Sequence, residues 1–62
     1  MNNTLPELLD IDEAAAVLRI SKYTLYRWTS ERKIVYVKLG SRLLFERAEL
    51  HRFIESRRIP AE

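Results

Sequence analysis

The stretch of sequence that decides the fold is Asp10–Trp28, which reads DIDEAAAVLRISKYTLYRW. It begins with Asp10 and, three residues later, Glu13, which is the spacing of a helix-starting capping box. Four apolar residues follow at the spacing of one helix face, namely Ile11, Ala14, Ala15 and Leu18. Ser21 is a preferred cap for a second helix. The stretch therefore predicts two short helices joined by a tight turn, which is the helix-turn-helix layout.

The second helix is predicted over residues 22–32. Helical spacing turns Leu25 and Trp28 towards the core, together with Ile20 from the turn. The opposite face is basic and aromatic and carries Lys22, Tyr23, Tyr26, Arg27 and Ser30. Such a face suits a helix that enters the major groove of DNA.

A β-hairpin is predicted after the second helix. Residues 34–39 are β-branched and aromatic, Gly40-Ser41 suits a two-residue turn, and residues 42–45 form the return strand. Alternation along the first strand is expected to place Val35, Val37 and Leu39 on one face. Leu43 and Phe45 of the return strand are their expected partners on that face.

The sequence predicts an arm at the N-terminal end of the chain and a third helix at the C-terminal end. Residues 1–9 form the arm, which Leu8 and Leu9 anchor to the core. The third helix runs from residue 46 to about residue 57, and its apolar face is formed by Leu50, Phe53 and Ile54. The expected fold is mainly α with a β-hairpin, a winged helix-turn-helix that consists of the helix-turn-helix, a two-stranded wing and a C-terminal helix.

The length and composition restrict what else the chain can contain. Its 62 residues predict a single domain over residues 1–62, with a core at about residues 9–56. A domain of this size buries only about 60% of its unfolded surface, so the core is marginal. With no cysteine and one histidine, neither a disulfide nor a metal site is expected. We find no signal-peptide pattern and no membrane-length apolar stretch, and we expect a cytoplasmic protein without cofactor or small-molecule ligand.

The positive charge is concentrated in the middle of the chain, although the net charge is only +2. Residues 1–18 carry four acidic and no basic side chains, whereas residues 19–47 carry eight Lys or Arg and two Glu. Residues 48–62 carry three of each sign. Charge alone fits an ordinary solvated surface equally well, but its coincidence with the helix-turn-helix favours a polyanion such as DNA.

In their order and spacing, these residues resemble the excisionase-like branch of the MerR-type winged-helix proteins. The matching residues are Leu9, Glu13–Ala15, Leu18, Ile20-Ser21, Thr24–Arg27, Lys38–Arg42 and Phe45–Leu50. The resemblance implies DNA binding by this fold. It is closer to small excisionases and phage-type regulators than to metal or drug sensors, because the chain has no long coiled-coil helix and no effector domain.

The chain also departs from the pattern of that family at three places. Family members commonly have glycine in the turn, where this chain has Arg19. They often have glycine and then proline after the second helix, where this chain has Glu31–Val35, which allows a longer helix. Leu44 stands where a basic residue is frequent.

Nine residues are candidate DNA contacts. Arg27 can bond guanine with two hydrogen bonds, and Lys22 can reach guanine or phosphate. The tyrosine hydroxyls can bond phosphate, and hydroxyls at a helix N-terminus can do the same. The wing tip would contact the minor groove or the backbone beside it. The full set is Ser21, Lys22, Tyr23, Thr24, Tyr26, Arg27, Lys38, Ser41 and Arg42.

Each candidate also has a purely structural interpretation. Lys22 and Arg27 would be solvated, the tyrosines would pack against the wing or the first helix, and Ser21 would be only a cap. Arg32 and Lys33 are either phosphate clamps or solvated charge. The arginines of the third helix alternate with glutamate and are interpreted as solvated, Trp28 as core, and His51 as a surface residue.

No catalytic constellation is visible, so we expect the protein not to be an enzyme. The expected function is sequence-specific binding and bending of double-stranded DNA. The resemblance implies an excisionase of bacterial or phage origin, nucleoid-associated, that acts with a tyrosine-type integrase and with further copies of itself on adjacent sites. One alternative is a small phage- or plasmid-type transcriptional regulator. Another is a protein-interaction module without DNA binding, which would use an outer wing face formed by Ile34, Tyr36 and Leu44.

Overall fold

The fold is a winged helix-turn-helix, as the sequence predicts. The computed structural model describes residues 7–61, so residues 1–6 of the predicted arm lie outside the described residues. Within that range there are three helices and one three-stranded sheet: β1 (Leu8–Asp10), α1 (Ile11–Leu18), α2 (Lys22–Ser30), β2 (Val37–Leu39), β3 (Arg42–Glu46) and α3 (Arg47–Glu55). No helix among these residues is long and apolar enough to cross a membrane.

The start of α1 confirms the predicted capping box. The Asp10 carboxylate accepts a hydrogen bond from the Glu13 backbone N–H at 2.8 Å, and the Glu13 carboxylate accepts one from the Asp10 N–H at 2.9 Å. These bonds satisfy two backbone donors and place negative charge at the positive end of the helix dipole. Ala14 and Ala15 are buried, and their small side chains let α2 approach closely.

α1 ends in a Schellman motif in which an arginine takes the place of glycine. Arg19 has φ 61° and ψ 40°, in the left-handed region. The Ile20 N–H donates to the Ala15 carbonyl at 3.0 Å, and the Arg19 N–H donates to the Ala16 carbonyl at 3.2 Å. These two bonds define the motif, and they satisfy carbonyls that the helix end would otherwise leave unpaired.

α2 begins at Lys22 with Ser21 as its cap, as predicted, and the Ser21 hydroxyl accepts a hydrogen bond from the Thr24 N–H at 3.1 Å. Leu25 is completely buried. Trp28 is half-buried and packs on Phe53 of α3, with ring centroids 5.4 Å apart. Trp28 is therefore a core residue, as its spacing from Leu25 predicts.

The end of α2 repeats the motif that ends α1. The predicted continuation to residue 32 is wrong, because α2 ends at Ser30 and Arg32 adopts a left-handed φ of 58°. The Lys33 N–H donates to the Trp28 carbonyl at 2.9 Å, and the Arg32 N–H donates to the Thr29 carbonyl at 3.1 Å. This is again the hydrogen-bond pair of a Schellman motif.

The sheet has the strand order β1-β3-β2, with both pairs antiparallel. β1 is not predicted from the sequence, whose pattern places Leu8 and Leu9 in an arm. Leu9 lies opposite Phe45, and both are buried. Leu8 is on the other side of the strand and 39% exposed, so the prediction that Leu8 anchors to the core is wrong. Successive side chains of a strand point to opposite faces, so only one of the two leucines can face inwards.

The hairpin corrects the predicted strand faces. Gly40 has a φ of +61°, and Leu39 pairs with Arg42, which confirms a two-residue turn. The same register pairs Val37 with Leu44. Val37 and Leu39 therefore lie on the face opposite to Leu43 and Phe45. The prediction that these residues share one face is wrong, because a two-residue turn fixes which residues of the two strands pair and so lie on the same face.

The strand that leads into the hairpin is shorter than predicted. β2 begins at Val37 rather than at residue 34, so residues 34–36 are not strand. Ile34 is only 5% exposed and belongs to the core, not to the outer wing face. Because Ile34 is buried in the core, residues 34–36 pack against the domain before β2 begins at Val37.

The core lies between the sheet and the three helices. Its buried apolar residues are Leu9, Ala14, Ala15, Leu25, Ile34, Phe45 and Leu50. α3 covers residues 47–55, which is slightly shorter than predicted, and Phe53 packs against the core. Ile54 is 38% exposed, so its predicted inward orientation is wrong.

Candidate nucleic-acid interface

The cations of α3 and its flanks are neutralised or packed within the protein. Arg47 contacts Glu7 at 2.9 Å, and Arg58 contacts Glu55 at 2.8 Å. Arg52 pairs with Glu49, and Arg57 lies over the Phe53 ring at 3.8 Å from its centroid. These contacts agree with the interpretation of α3 as a solvated helix with interleaved charges.

The cations of the helix-turn-helix and hairpin are different. Among the contacts of the described residues, only Lys33 has a carboxylate partner there, Glu31 at 3.2 Å. Within residues 7–61, seven Lys or Arg side chains have no ion pair. One is Arg57 over the Phe53 ring, and the other six are Arg19, Lys22, Arg27, Arg32, Lys38 and Arg42. All six side chains belong to exposed residues between positions 19 and 42. Six of the seven cations without an ion pair in the described residues thus lie in one continuous part of the chain, which creates a positive potential there.

The outward face of α2 carries the residues that helical spacing predicts. Lys22 and Arg27 are exposed, and Tyr23 is 75% exposed. Tyr26 is 43% exposed and so lies at the edge of this face. Leu25 on the opposite side is completely buried, so α2 is held against the core and presents the polar side chains outwards. Their contact with DNA stays a prediction.

At the N-terminus of α2, one backbone N–H group, that of Thr24, is capped by the Ser21 hydroxyl. Besides accepting from the Thr24 N–H, the Ser21 hydroxyl donates to the Thr24 hydroxyl at 3.1 Å. Thr24 is half-buried, whereas Ser21 is exposed. The cap role of Ser21 is therefore present in the structure, and the phosphate role of both hydroxyls stays a prediction.

The structure brings α2 and the hairpin together on one open cleft of about 500 Å³. α2 contributes Tyr26, and the hairpin contributes Lys38, Ser41 and Arg42. The hairpin register puts Lys38 on the same face as Leu43 and puts Arg42 on the opposite face. The two wing cations therefore project from the two sides of one ribbon near its tip.

The cleft also has two acidic lining residues, Asp10 and Asp12, which the sequence does not predict. Both come from the start of α1 and line the cleft together with the hairpin residues. They come near the hairpin because β1, which ends at Asp10, pairs with β3. No local pattern in the sequence signals this pairing, so the proximity of these carboxylates to the wing cations is a product of the tertiary fold.

The surface proposed for a protein-interaction module is smaller than the sequence predicts. Ile34 is buried, and Leu44 on the central strand is half-buried opposite Val37. Tyr36 is 38% exposed. Of the three predicted residues, only Tyr36 is substantially accessible, which weakens that alternative.

The comparisons with known proteins agree with this geometry. A family model described as a helix-turn-helix domain matches residues 8–58, which include all six helices and strands. No curated protein and no solved structure matches the chain. The match covers more than half of the chain and contains the six cations without an ion pair between positions 19 and 42.

Proposed function

The chain belongs to the helix-turn-helix domain family, and on that premise we propose that it is a sequence-specific DNA-binding protein that bends its target. α2 reads the major groove, and the hairpin holds the adjacent backbone or minor groove. Proteins with such a domain are typically not enzymes. The observation that carries the proposal is that six of the seven cations without an ion pair in residues 7–61 lie in the turn, α2, its C-terminal cap and the hairpin.

Sequence specificity comes from α2 and affinity from the surrounding cations. Arg27 and Lys22 are the residues with the donors to read guanine, and Tyr23 offers a ring to a thymine methyl group. Lys38, Ser41 and Arg42 bind phosphates or the minor groove from the hairpin. One small module makes few base contacts, so useful specificity needs several copies side by side or a partner protein.

The biological role that we propose is that of an excisionase, which orients a tyrosine-type integrase by bending DNA. The resemblance of the sequence to the excisionase-like proteins supports this role. A small transcriptional regulator would use the same fold and the same contacts. The two roles are separated by an excision assay with a tyrosine-type integrase and by a reporter fused to the promoter of the protein's own gene.

The first experiment is a salt titration of binding to the DNA that flanks the gene and to a scrambled duplex of equal length. Wild type is compared with Arg27→Ala and with Arg52→Ala, a control that also removes one charge but from a residue already paired with Glu49. We expect tight binding to the flanking DNA, with the preference over the scrambled duplex lost only in Arg27→Ala.

Two results would contradict parts of this proposal. Equal binding of wild type to both duplexes, falling steeply with salt, would mean that phosphate contacts alone act and that α2 reads no sequence. Absence of binding at low salt would exclude DNA as the partner and would leave the protein-interaction alternative, for which Tyr36 is the accessible residue to substitute.

A further inference from the structure

Two residues other than glycine have a left-handed backbone in the described part of the chain, and both are arginines. Arg19 has φ 61° and Arg32 has φ 58°. Each occupies the position of a Schellman motif that favours glycine, because a Cβ atom crowds the backbone there. Both side chains are exposed, and neither forms an ion pair with the described residues. Backbone strain of this kind persists mainly where a function requires the side chain.

The helix dipole does not account for these two positions. A cation near a helix C-terminus is favourable, but a lysine or arginine within the last turn provides it at an ordinary φ. α2 already has Arg27 in its last turn, whereas α1 has no basic residue there, and a lysine or arginine within that turn would serve α1 at an ordinary φ. Neither arginine needs to occupy the left-handed position to serve this purpose.

The two arginines flank α2. Arg19 precedes the Ser21 cap, and Arg32 follows the last helical residue, Ser30. A helix of nine residues is about 13.5 Å long, and the major groove is about 12 Å wide. A helix that crosses the groove would therefore carry one arginine towards each of the two phosphate backbones that border it.

We propose that Arg19 and Arg32 are a pair of phosphate clamps, one for each DNA strand, held in place by the left-handed caps at either end of α2. This inference rests on the proposed function and adds two contacts to those of α2 and the hairpin. Their role is to fix the position of α2 in the groove, because phosphate contacts position a protein and do not read its sequence. Guanidinium groups suit this role, since they bond phosphate with two parallel N–H donors.

Salt dependence distinguishes phosphate clamps from base-reading residues. Each phosphate contact contributes about 0.9 to the slope of log affinity against log salt concentration. Loss of one clamp should lower the slope by about 0.9, and loss of both by about 1.8. With 1 M salt as the reference, affinity at 0.1 M should fall roughly eightfold for one clamp and roughly 60-fold for both. The fall should be the same on specific and scrambled duplexes.

The test compares three substitutions at each position, alone and combined. Arg19→Gly and Arg32→Gly remove the charge and the strain, Arg19→Ala and Arg32→Ala remove only the charge, and Arg19→Lys and Arg32→Lys retain the charge. Arg58→Gly is the matched control, because Arg58 is paired with Glu55 and has no left-handed φ. Circular dichroism checks that each variant is folded.

The expected result is a reduced slope for the glycine and alanine variants, an unchanged slope for the lysine variants and for Arg58→Gly, and an unchanged preference for the specific duplex. If the glycine and alanine variants have the wild-type slope while Arg27→Ala still loses its preference, the clamps do not exist and the proposed function stands. If wild type binds neither duplex at low salt, both proposals fall.

Discussion

Replacing Arg19 or Arg32 by glycine is expected to stabilise the protein, although each change removes a large side chain. Both residues have a left-handed backbone, with φ 61° and 58°. For an L-residue this conformation costs about 1–2 kcal/mol, which glycine does not incur. Glycine also gains freedom in the unfolded chain, which opposes the effect by about 0.4–1 kcal/mol. Loss of the cation near a helix C-terminus removes about 0.3 kcal/mol more at these exposed sites.

The net gain is about 0.5 kcal/mol for each glycine substitution. The unfolding entropy of a protein of 62 residues is about 130 cal/mol/K, so each substitution should raise Tm by about 4 °C. The two positions cap different helices and share no hydrogen bond. Their effects should therefore add, to about 8 °C for the double variant.

Thermal unfolding followed by circular dichroism measures these shifts, and urea unfolding provides the free energy with a check that the m-value is unchanged. Arg19→Ala and Arg32→Ala are the matched controls. They remove the same charge but keep the left-handed strain, so they should lower Tm by about 2 °C through loss of the dipole interaction alone. Equal Tm values for the glycine and alanine variants would show that the left-handed backbone is not strained, and the reasoning would be refuted.

Three further substitutions test the cap, the turn and the core by the same unfolding measurement. Asp10→Ala removes the carboxylate that caps α1 and should destabilise by about 1 kcal/mol, with Asp12→Ala as a control that changes no cap and should have a smaller effect. Gly40→Ala should cost about 1 kcal/mol, because the added Cβ meets no atom within 4 Å and only the φ of +61° opposes it, so an unchanged stability would contradict the assigned turn. Phe45→Ala should cost about 3–5 kcal/mol and leave little folded protein, since Phe45 is completely buried, and a loss below 1 kcal/mol would contradict its central position in the core.

Features that depend on neighbouring residues could be predicted from the sequence. The Asp10–Glu13 capping box, the Ser21 cap and the inward side of α2 at Leu25 all depend on spacings of three or four residues. Such spacings have direct physical causes in helix geometry. The same spacing identified the exposed face of α2, so this part of the candidate site was also predictable.

The strand faces of the hairpin were predictable but were assigned wrongly. A two-residue turn at Gly40-Ser41 pairs Leu39 with Arg42, and counting back pairs Val37 with Leu44. Residues that pair directly share a face, so Val37 cannot share one with Leu43. By contrast, β1 could not be identified from its three residues, because its strand character depends on pairing with β3, far along the chain.

The end of α2 shows why a missing glycine does not predict a longer helix. Residues 31–35 contain neither glycine nor proline, and the sequence therefore allowed α2 to continue. Ile34, however, is 5% exposed in the core. Burying an isoleucine side chain contributes about 1.5–3 kcal/mol, which exceeds the cost of about 1–2 kcal/mol for the left-handed conformation at Arg32. Tertiary burial outweighs the local preference and ends the helix at Ser30.

The two expected effects of a glycine at position 19 or 32 have opposite signs, and this separates a functional from a structural reason for the arginines. If an arginine is retained for folding, its replacement by glycine should lower Tm and leave the slope of log affinity against log salt concentration unchanged. If it is a phosphate clamp, the same replacement should raise Tm and reduce that slope. Bound DNA itself stabilises the folded state, by about 2.7 kcal/mol at a DNA concentration of 100 times Kd. That gain exceeds the net stabilisation of about 1 kcal/mol expected from both glycine substitutions together, so a marginal domain can retain two strained arginines if it works while bound to DNA.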